Sequence, residues 1–184
     1  MYDLVQALFG ARHTQARLAP WLASAERKRI LDVGAGTGLQ RSLVPETAWY
    51  IWLDVDWTKL HGYRRRHSDG AVVIGDGSIM PLRDRSVDFG LCVAVSHQYL
   101  TDGQLTSLFA ELALVVRERV IFLDALYCRE AWRSRLLWRC DGGGHPRSAD
   151  TLLAAMAPRL EVDHIEEYRV YHRYLLGVAR PRAS

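Results

Sequence analysis

Five short apolar runs punctuate the first two thirds of the chain: 29–33 (RILDV), 49–54 (WYIWLD), 71–75 (AVVIG), 87–93 (VDFGLCV) and 117–123 (RERVIFL). None alternates cleanly between apolar and polar positions, as expected for strands of a parallel sheet covered on both faces. Between them the spacing predicts helices over 39–46, 57–67 and 101–116. The third is the best defined, because Thr101 and Gln104 form a capping-box pair and Leu105, Leu108, Leu112 and Val115 share one face. Strands and helices in alternation predict an α/β fold: a doubly wound, mostly parallel sheet with helices on both faces.

The two ends read differently. Residues 3–24 predict one or two helices anchored by Leu4, Leu8, Leu18 and Leu22 and interrupted at Gly10, so that 1–28 forms an N-terminal helical cap. Residues 127–139 predict a helix rich in Trp, Arg and Leu, followed by a GGGHP loop at 142–146 and a helix over 149–157 that stops at Pro158. Residues 125–158 together are expected to form a substrate-side helical insertion. The runs 160–170 and 172–179 are strand-like and too close for a crossover helix, which predicts an antiparallel pair closing the sheet.

Composition narrows the class without choosing a function. A length of 184 residues suits one domain, 1–184, and 49 % hydrophobic with 24 % charged residues excludes a disordered or fibrous chain. The first twenty residues lack a signal pattern and no stretch approaches 18 uncharged apolar residues, so a cytoplasmic protein with no membrane partner is expected. A net charge of +3 and a pI near 8.9 permit an anionic partner without requiring one. The densest basic run, Arg64 to His67, reads as a helix end whose cations complement the dipole, and nucleic acid is not favoured. Cys92, Cys128 and Cys140 are too few and too irregular for a disulfide framework, and no CxxC pair suggests zinc. No pattern specifies an oligomeric state.

The chemistry concentrates after the first strand. In ILDVGAGTG (30–38) the strand runs into Gly34, Gly36 and Gly38, which allow a sharp turn and remove Cβ atoms that would keep a ligand from the backbone. A tight turn alone would also use glycine. Asp54 ends the second run, 20 residues after Gly34, and Asp76 follows the third in IGDGSIMPL. Carboxyl ends of adjacent parallel strands face one crevice, so Asp54 can accept hydrogen bonds from an adenosine's ribose hydroxyls and Asp76 from the adenine's exocyclic N–H. A nicotinamide enzyme fits less well: its GxGxxG fingerprint would need glycine at Leu39, and the chain lacks length for a second domain. No Gly-Lys-Ser/Thr follows, so a Walker loop is excluded.

In these segments, together with WLDVDWTKL (52–60), GDGSIMPLRDRSVDFGLCVAVSHQYL (75–100) and RERVIFLD (117–124), the chain resembles the class I, Rossmann-like S-adenosylmethionine-dependent methyltransferases. The resemblance implies that Gly34, Ala35, Gly36 and Gly38 lie beside the cofactor's methionine portion and ribose, and that Asp32 helps hold its amino group. It implies that Asp54 binds the ribose diol and that Asp76, Gly77 and Ser78 approach adenine, with Val55 and Ile79 as candidate pocket residues. Ala94, Val95 and Ser96 would pass the cofactor and lead to His97 on the substrate side. No metal is expected, because the sulfonium already activates the methyl group.

His97 is the expected catalytic residue, as general base or as an orienting group, with a loop-tethering role as the alternative. Tyr99, Tyr127 and His145 are candidate substrate contacts; His13, Trp132 and Trp138 are weaker ones. The stretch Ser96-His97-Gln98-Tyr99 does not match the Asn/Asp-Pro-Pro-aromatic motif of many amino-methylating enzymes. There is no Pro-Cys pair of the kind used by cytosine C5 enzymes, and Cys92 lies within a strand. The expected acceptor is therefore a small molecule methylated on O, C or N. RNA or protein methylation and a noncatalytic S-adenosylmethionine-binding regulator are the alternatives.

Overall fold

The computed structural model describes residues 11–127, 144–170 and 173–182. Seven strands form one sheet: β1 (Arg29–Val33), β2 (Trp49–Asp54), β3 (Ala71–Ile74), β4 (Val87–Val93), β5 (Val116–Leu126), β6 (Leu160–Arg169) and β7 (Arg173–Pro181). Their order is β3-β2-β1-β4-β5-β7-β6. The first five are parallel, whereas β7 pairs antiparallel with both β5 and β6. The expected terminal hairpin is thus present, with β7 inserted between β5 and β6.

Side-chain alternation divides the core into two layers. Leu31, Cys92, Phe122 and Leu175 face one way, toward α4 (Asp102–Val115) and α5 (Ala149–Met156). Their neighbours Ile30, Leu91, Ile121 and Leu176 face the other, toward α1 (Ala11–Ala23) and α2 (Trp57–Arg66). The predicted face of α4 is buried at Leu105, Leu108, Leu112 and Val115, with Phe109 beside them. Burial of each such side chain is worth about 1.5–3 kcal/mol. The capping box forms as its sequence suggests: the Gln104 amide donates to the Thr101 hydroxyl, and the Thr101 amide donates to Gln104 Oε1.

One expectation needs revision. The predicted helix over 39–46 is a single 3-10 turn, Arg41–Leu43. Pro45 forces Val44 into an extended conformation (ψ 130°), and no α-helix can run through that position. Of the expected N-terminal helical cap, 1–28, residues 11–28 are described. α1 buries Leu18 and Leu22 in the second core layer, and none of its residues lines the cleft. The predicted helix over 127–139, with Cys128, Trp132, Trp138 and Cys140, lies outside the described residues apart from Tyr127. The basic run does end a helix: Arg64, Arg65 and Arg66 form the exposed last turn of α2. Among the described residues no helix is long and apolar enough to cross a membrane.

Candidate active site

Strand order reverses between β1 and β4, and in an open α/β sheet the crevice at that point is where ligands bind. A cleft of about 1060 Å³, counting its open mouth, lies there at the carboxyl ends of β1 to β4. Its glycine loop is shaped by β2. The Leu53 carbonyl accepts from the Gly34 and Ala35 amides, at 2.8 and 3.1 Å. Two residues on the same strand then grip one residue from both sides: the Gly36 amide donates to Asp54 Oδ2 (2.8 Å) and Trp52 Nε1 donates to the Gly36 carbonyl (2.8 Å). Gly34 adopts φ +68°, and a Cβ there would fall 2.4 Å from Val95 Cγ2. Gly36, at φ +53°, instead opens toward free space on the cleft side, so its backbone is accessible to a ligand.

The expected acids all reach this cleft. Asp32 is almost fully buried at the end of β1, and the Tyr50 hydroxyl donates to its Oδ2. Burial drives the Asp32 carboxyl up to about 7; the Tyr50 hydrogen bond opposes the rise and the nearby Asp54 charge adds to it. Asp54 spends one lone pair of each oxygen on backbone amides, those of Gly36 and Asp56. A carboxylate offers about four such positions, so two stay available to hydroxyl donors. Asp76 Oδ1 accepts from both the amide and the hydroxyl of Ser78. Gly77 and Val55 line the cleft, Val55 with 64 % exposure. Ser78 is turned to Asp76 and is not in the lining, and Ile79 stands 77 % exposed outside it.

On the β4 side, Val93, Ala94, Val95, Tyr99 and Leu100 line the cleft. Ala94 has φ +57°, an uncommon conformation for a residue with a Cβ, held here by its amide donating to the Leu123 carbonyl. His97 lies in α3 (Ser96–Tyr99), is 3 % exposed, and is absent from the lining. Its Nδ1 is hydrogen-bonded to Asp124 Oδ1, while Asp124 Oδ2 accepts from the Ser96 and His97 amides. Burial pushes the Asp124 carboxyl up, but the His97 ring, the hydrogen bonds from His97 and Ser96, and the Ala125 amide together hold it below its ordinary range. His145 and Tyr127 do not line the cleft either. The His145 amide donates to the His97 carbonyl (3.0 Å) and the Tyr127 amide to the Arg147 carbonyl (2.9 Å). His13 is exposed on α1, and Cys92 is buried in β4, where burial pushes its thiol well above the usual range.

The family model described as a methyltransferase domain matches residues 31–123, just over half of the chain. The chain belongs to the class I, S-adenosylmethionine-dependent methyltransferases. A fatty-acid O-methyltransferase from Mycolicibacterium smegmatis is 34 % identical over 106 residues, which cover 55 % of this methyltransferase and 38 % of that relative's own length. Among solved structures, an S-adenosylmethionine-dependent methyltransferase from Methanosarcina mazei superposes with a TM-score of 0.74 at 13 % identity, covering 88 % of this chain and 97 % of the other. The geranyl diphosphate C-methyltransferase of Streptomyces coelicolor A3(2) gives 0.73 at 14 % identity, covering 93 % and 82 %. At such identities these two establish the fold alone.

Four residues of the methyltransferase site were not among the sequence candidates. Tyr50 holds Asp32. Gln40 lines the cleft and its Oε1 is buried without a hydrogen-bond partner. Asp124 caps the amino end of α3. Arg147, 4 % exposed, secures its other end by donating to the Ser96 carbonyl (2.8 Å), the Leu100 carbonyl and Asp102 Oδ1 (2.9 Å). Asp124 carried a weak signal, as the acid ending the fifth apolar run; Tyr50, Gln40 and Arg147 act through contacts distant in sequence.

Proposed function

We propose that this methyltransferase transfers the methyl group of S-adenosylmethionine to a small-molecule acceptor, and that the acceptor atom is an oxygen of an already ionised carboxylate. The observation that carries the reading is the division of the cleft: four acids on the β1 to β3 side, and an apolar β4 side from which His97 is withdrawn by Asp124.

The residues fit the cofactor. Gly36 leaves room for a ligand against the backbone, Asp54 retains acceptor capacity for a ribose diol, and Asp76 lines the same cleft with a carboxylate that can accept from an adenine N–H. Asp32 and the unpartnered Oε1 of Gln40 supply acceptors for an amino group. When bound, the cofactor supplies a methyl carbon activated by its sulfonium, so the acceptor's lone pair forms the new bond as the carbon–sulfur bond breaks and S-adenosylhomocysteine leaves. The protein's part is alignment and exclusion of water. Val93, Val95, Leu100 and Leu108 give the acceptor side an apolar wall, with Tyr99 exposed at its edge.

A carboxylic acid is ionised at neutral pH and needs no base to become a nucleophile. That suits a cleft with no histidine among its described lining residues, and His97, engaged in holding α3, takes the tethering role. The fatty-acid O-methyltransferase relative points to the same acceptor class. Asp54, Asp56 and Asp76 outnumber Lys59 along the lining and disfavour a polyanion such as RNA.

The test is label transfer from methyl-tritiated S-adenosylmethionine to straight-chain carboxylic acids, phenols, amines and RNA. Base-labile methyl esters from the acids are expected. Preferred labelling of phenol, amine or RNA overturns the carboxylate assignment, and cofactor binding with no transfer to any acceptor points to a noncatalytic regulator.

A further inference from the structure

Asp32 combines burial with a function in an open cleft, and its neighbours explain how both are sustained. Tyr50 sits on β2 opposite Ile30, is 2 % exposed, and reaches Asp32 Oδ2 with its hydroxyl at 2.5 Å. The Tyr50 ring cannot swing away. It stacks on Tyr63 of α2 (centroids 5.9 Å apart, 19° between planes), and the Arg41 guanidinium lies 5.5 Å from its centre.

The charges around the carboxyl are unbalanced. From β2 it faces the Tyr50 hydroxyl and the Asp54 carboxylate, and from β4 the buried Cys92 thiol, which also feels Asp124 of β5. From α2 it feels Tyr63 behind Tyr50. Arg41 is committed to Asp69 and the Val44 carbonyl. Among the described residues no arginine or lysine hydrogen-bonds Asp32. Burial and a neighbouring carboxylate favour the protonated acid, and the single neutral donor, Tyr50, opposes them only in part.

We propose that Tyr50 is a positioning residue for the cofactor site, and that docking a cationic amino group against Asp32 expels the proton this carboxyl holds in the free protein. The inference rests on the cofactor reading above. The step balances as a neutral carboxylic acid plus an ammonium group giving a carboxylate–ammonium pair, with one proton passing to solvent. Tyr50 donates its hydrogen bond to the ionised carboxylate, so it makes the exchange easier at a given pH. The tendency of Asp32 to ionise only near 7 places the exchange within the physiological range.

The test is calorimetry of S-adenosylhomocysteine and S-adenosylmethionine binding between pH 5.5 and 7.5, in pairs of buffers with different ionisation enthalpies. This range keeps the ligand's α-amino group largely charged. The wild-type protein should release close to one proton per ligand at pH 6 and progressively less toward pH 7.5, with affinity about tenfold weaker at pH 6 than at its plateau above pH 7. Asp32→Asn should release none and bind with little dependence on pH. Tyr50→Phe should keep proton release but move its midpoint upward, a change that loss of packing alone would not produce.

Measurable binding with no proton release by the wild-type protein at pH 6 overturns the proposal whether or not either variant folds. A Tyr50→Phe midpoint that does not move removes Tyr50 from it. Absence of binding at every pH refutes instead the cofactor reading on which the proposal stands.

Discussion

Four of the aspartates in or beside the cleft, Asp32, Asp54, Asp76 and Asp124, are each treated differently by their surroundings. Asp54 and Asp124 receive backbone amides, Asp76 is turned by Ser78, and Asp32 has only the Tyr50 hydroxyl. This difference has consequences for stability without ligand. The unfolded chain releases the Asp32 proton near 3.8, whereas the native protein keeps it to about 7. Between those values the native state binds the extra proton, so its stability falls as pH rises and levels off above 7. The full loss is on the order of 4 kcal/mol. Urea unfolding midpoints of wild type and Asp32→Asn without cofactor should therefore converge toward pH 4, with the wild type progressively less stable relative to the variant up to pH 7. Parallel pH profiles would contradict this. Asp124 acts in the opposite sense: its contribution is present above the ordinary carboxylate value and is lost as acid protonates the folded form. At this scale the sequence exposed the acids but not their handling. Asp54 and Asp76 could be found because they stand at the end of, and just after, apolar runs, and Asp32 through the family resemblance of ILDVGAGTG; the Tyr50 donor and the orphaned Gln40 oxygen depend on strand register and loop path.

Among the elements, α3 is the one made from outside itself. Four residues are too few to sustain a helix alone, and here Asp124 satisfies the amino end while Arg147 satisfies carbonyls at the other. The ion pair of Arg147 with Asp102 adds little, since the Asp102 side chain is 85 % exposed. The strength lies in the charged hydrogen bonds to the Ser96 and Leu100 carbonyls, each worth about 1.5–3 kcal/mol. Replacing Arg147 by Met should destabilise the fold by roughly 3 kcal/mol. It should also raise the acceptor KM about tenfold, because Tyr99 and Leu100 lose their support, while the Kd for S-adenosylhomocysteine changes less than twofold. Steady-state kinetics and calorimetry on the same preparation separate the two effects; an equal loss in both would make Arg147 a purely structural residue. The helix predicted over 39–46 shows the limit of reading by spacing, because Pro45 holds Val44 extended and leaves one 3-10 turn.

For the molecule as a whole, the boundaries of β1, β2 and β4 fall where the apolar runs were read, because strands covered on both faces leave an uninterrupted apolar trace. The insertion of β7 between β5 and β6 was less legible, since pairing partners are not written in either strand's pattern. Cofactor binding at the reversal of strand order should brace the carboxyl ends of four strands together. At a hundredfold excess over Kd, S-adenosylhomocysteine should add about 2.7 kcal/mol and raise Tm by about 5–10 °C in thermal melts. No shift under saturating ligand would argue against this cleft as the cofactor site. The meeting of the Tyr127 amide with the Arg147 carbonyl also bears on how such a protein diverges. The Tyr127 amide and the Arg147 carbonyl thereby tie the end of β5 to the residue that braces α3, so a change in the path of either backbone has to be matched by the other, and the two positions are expected to vary together or not at all.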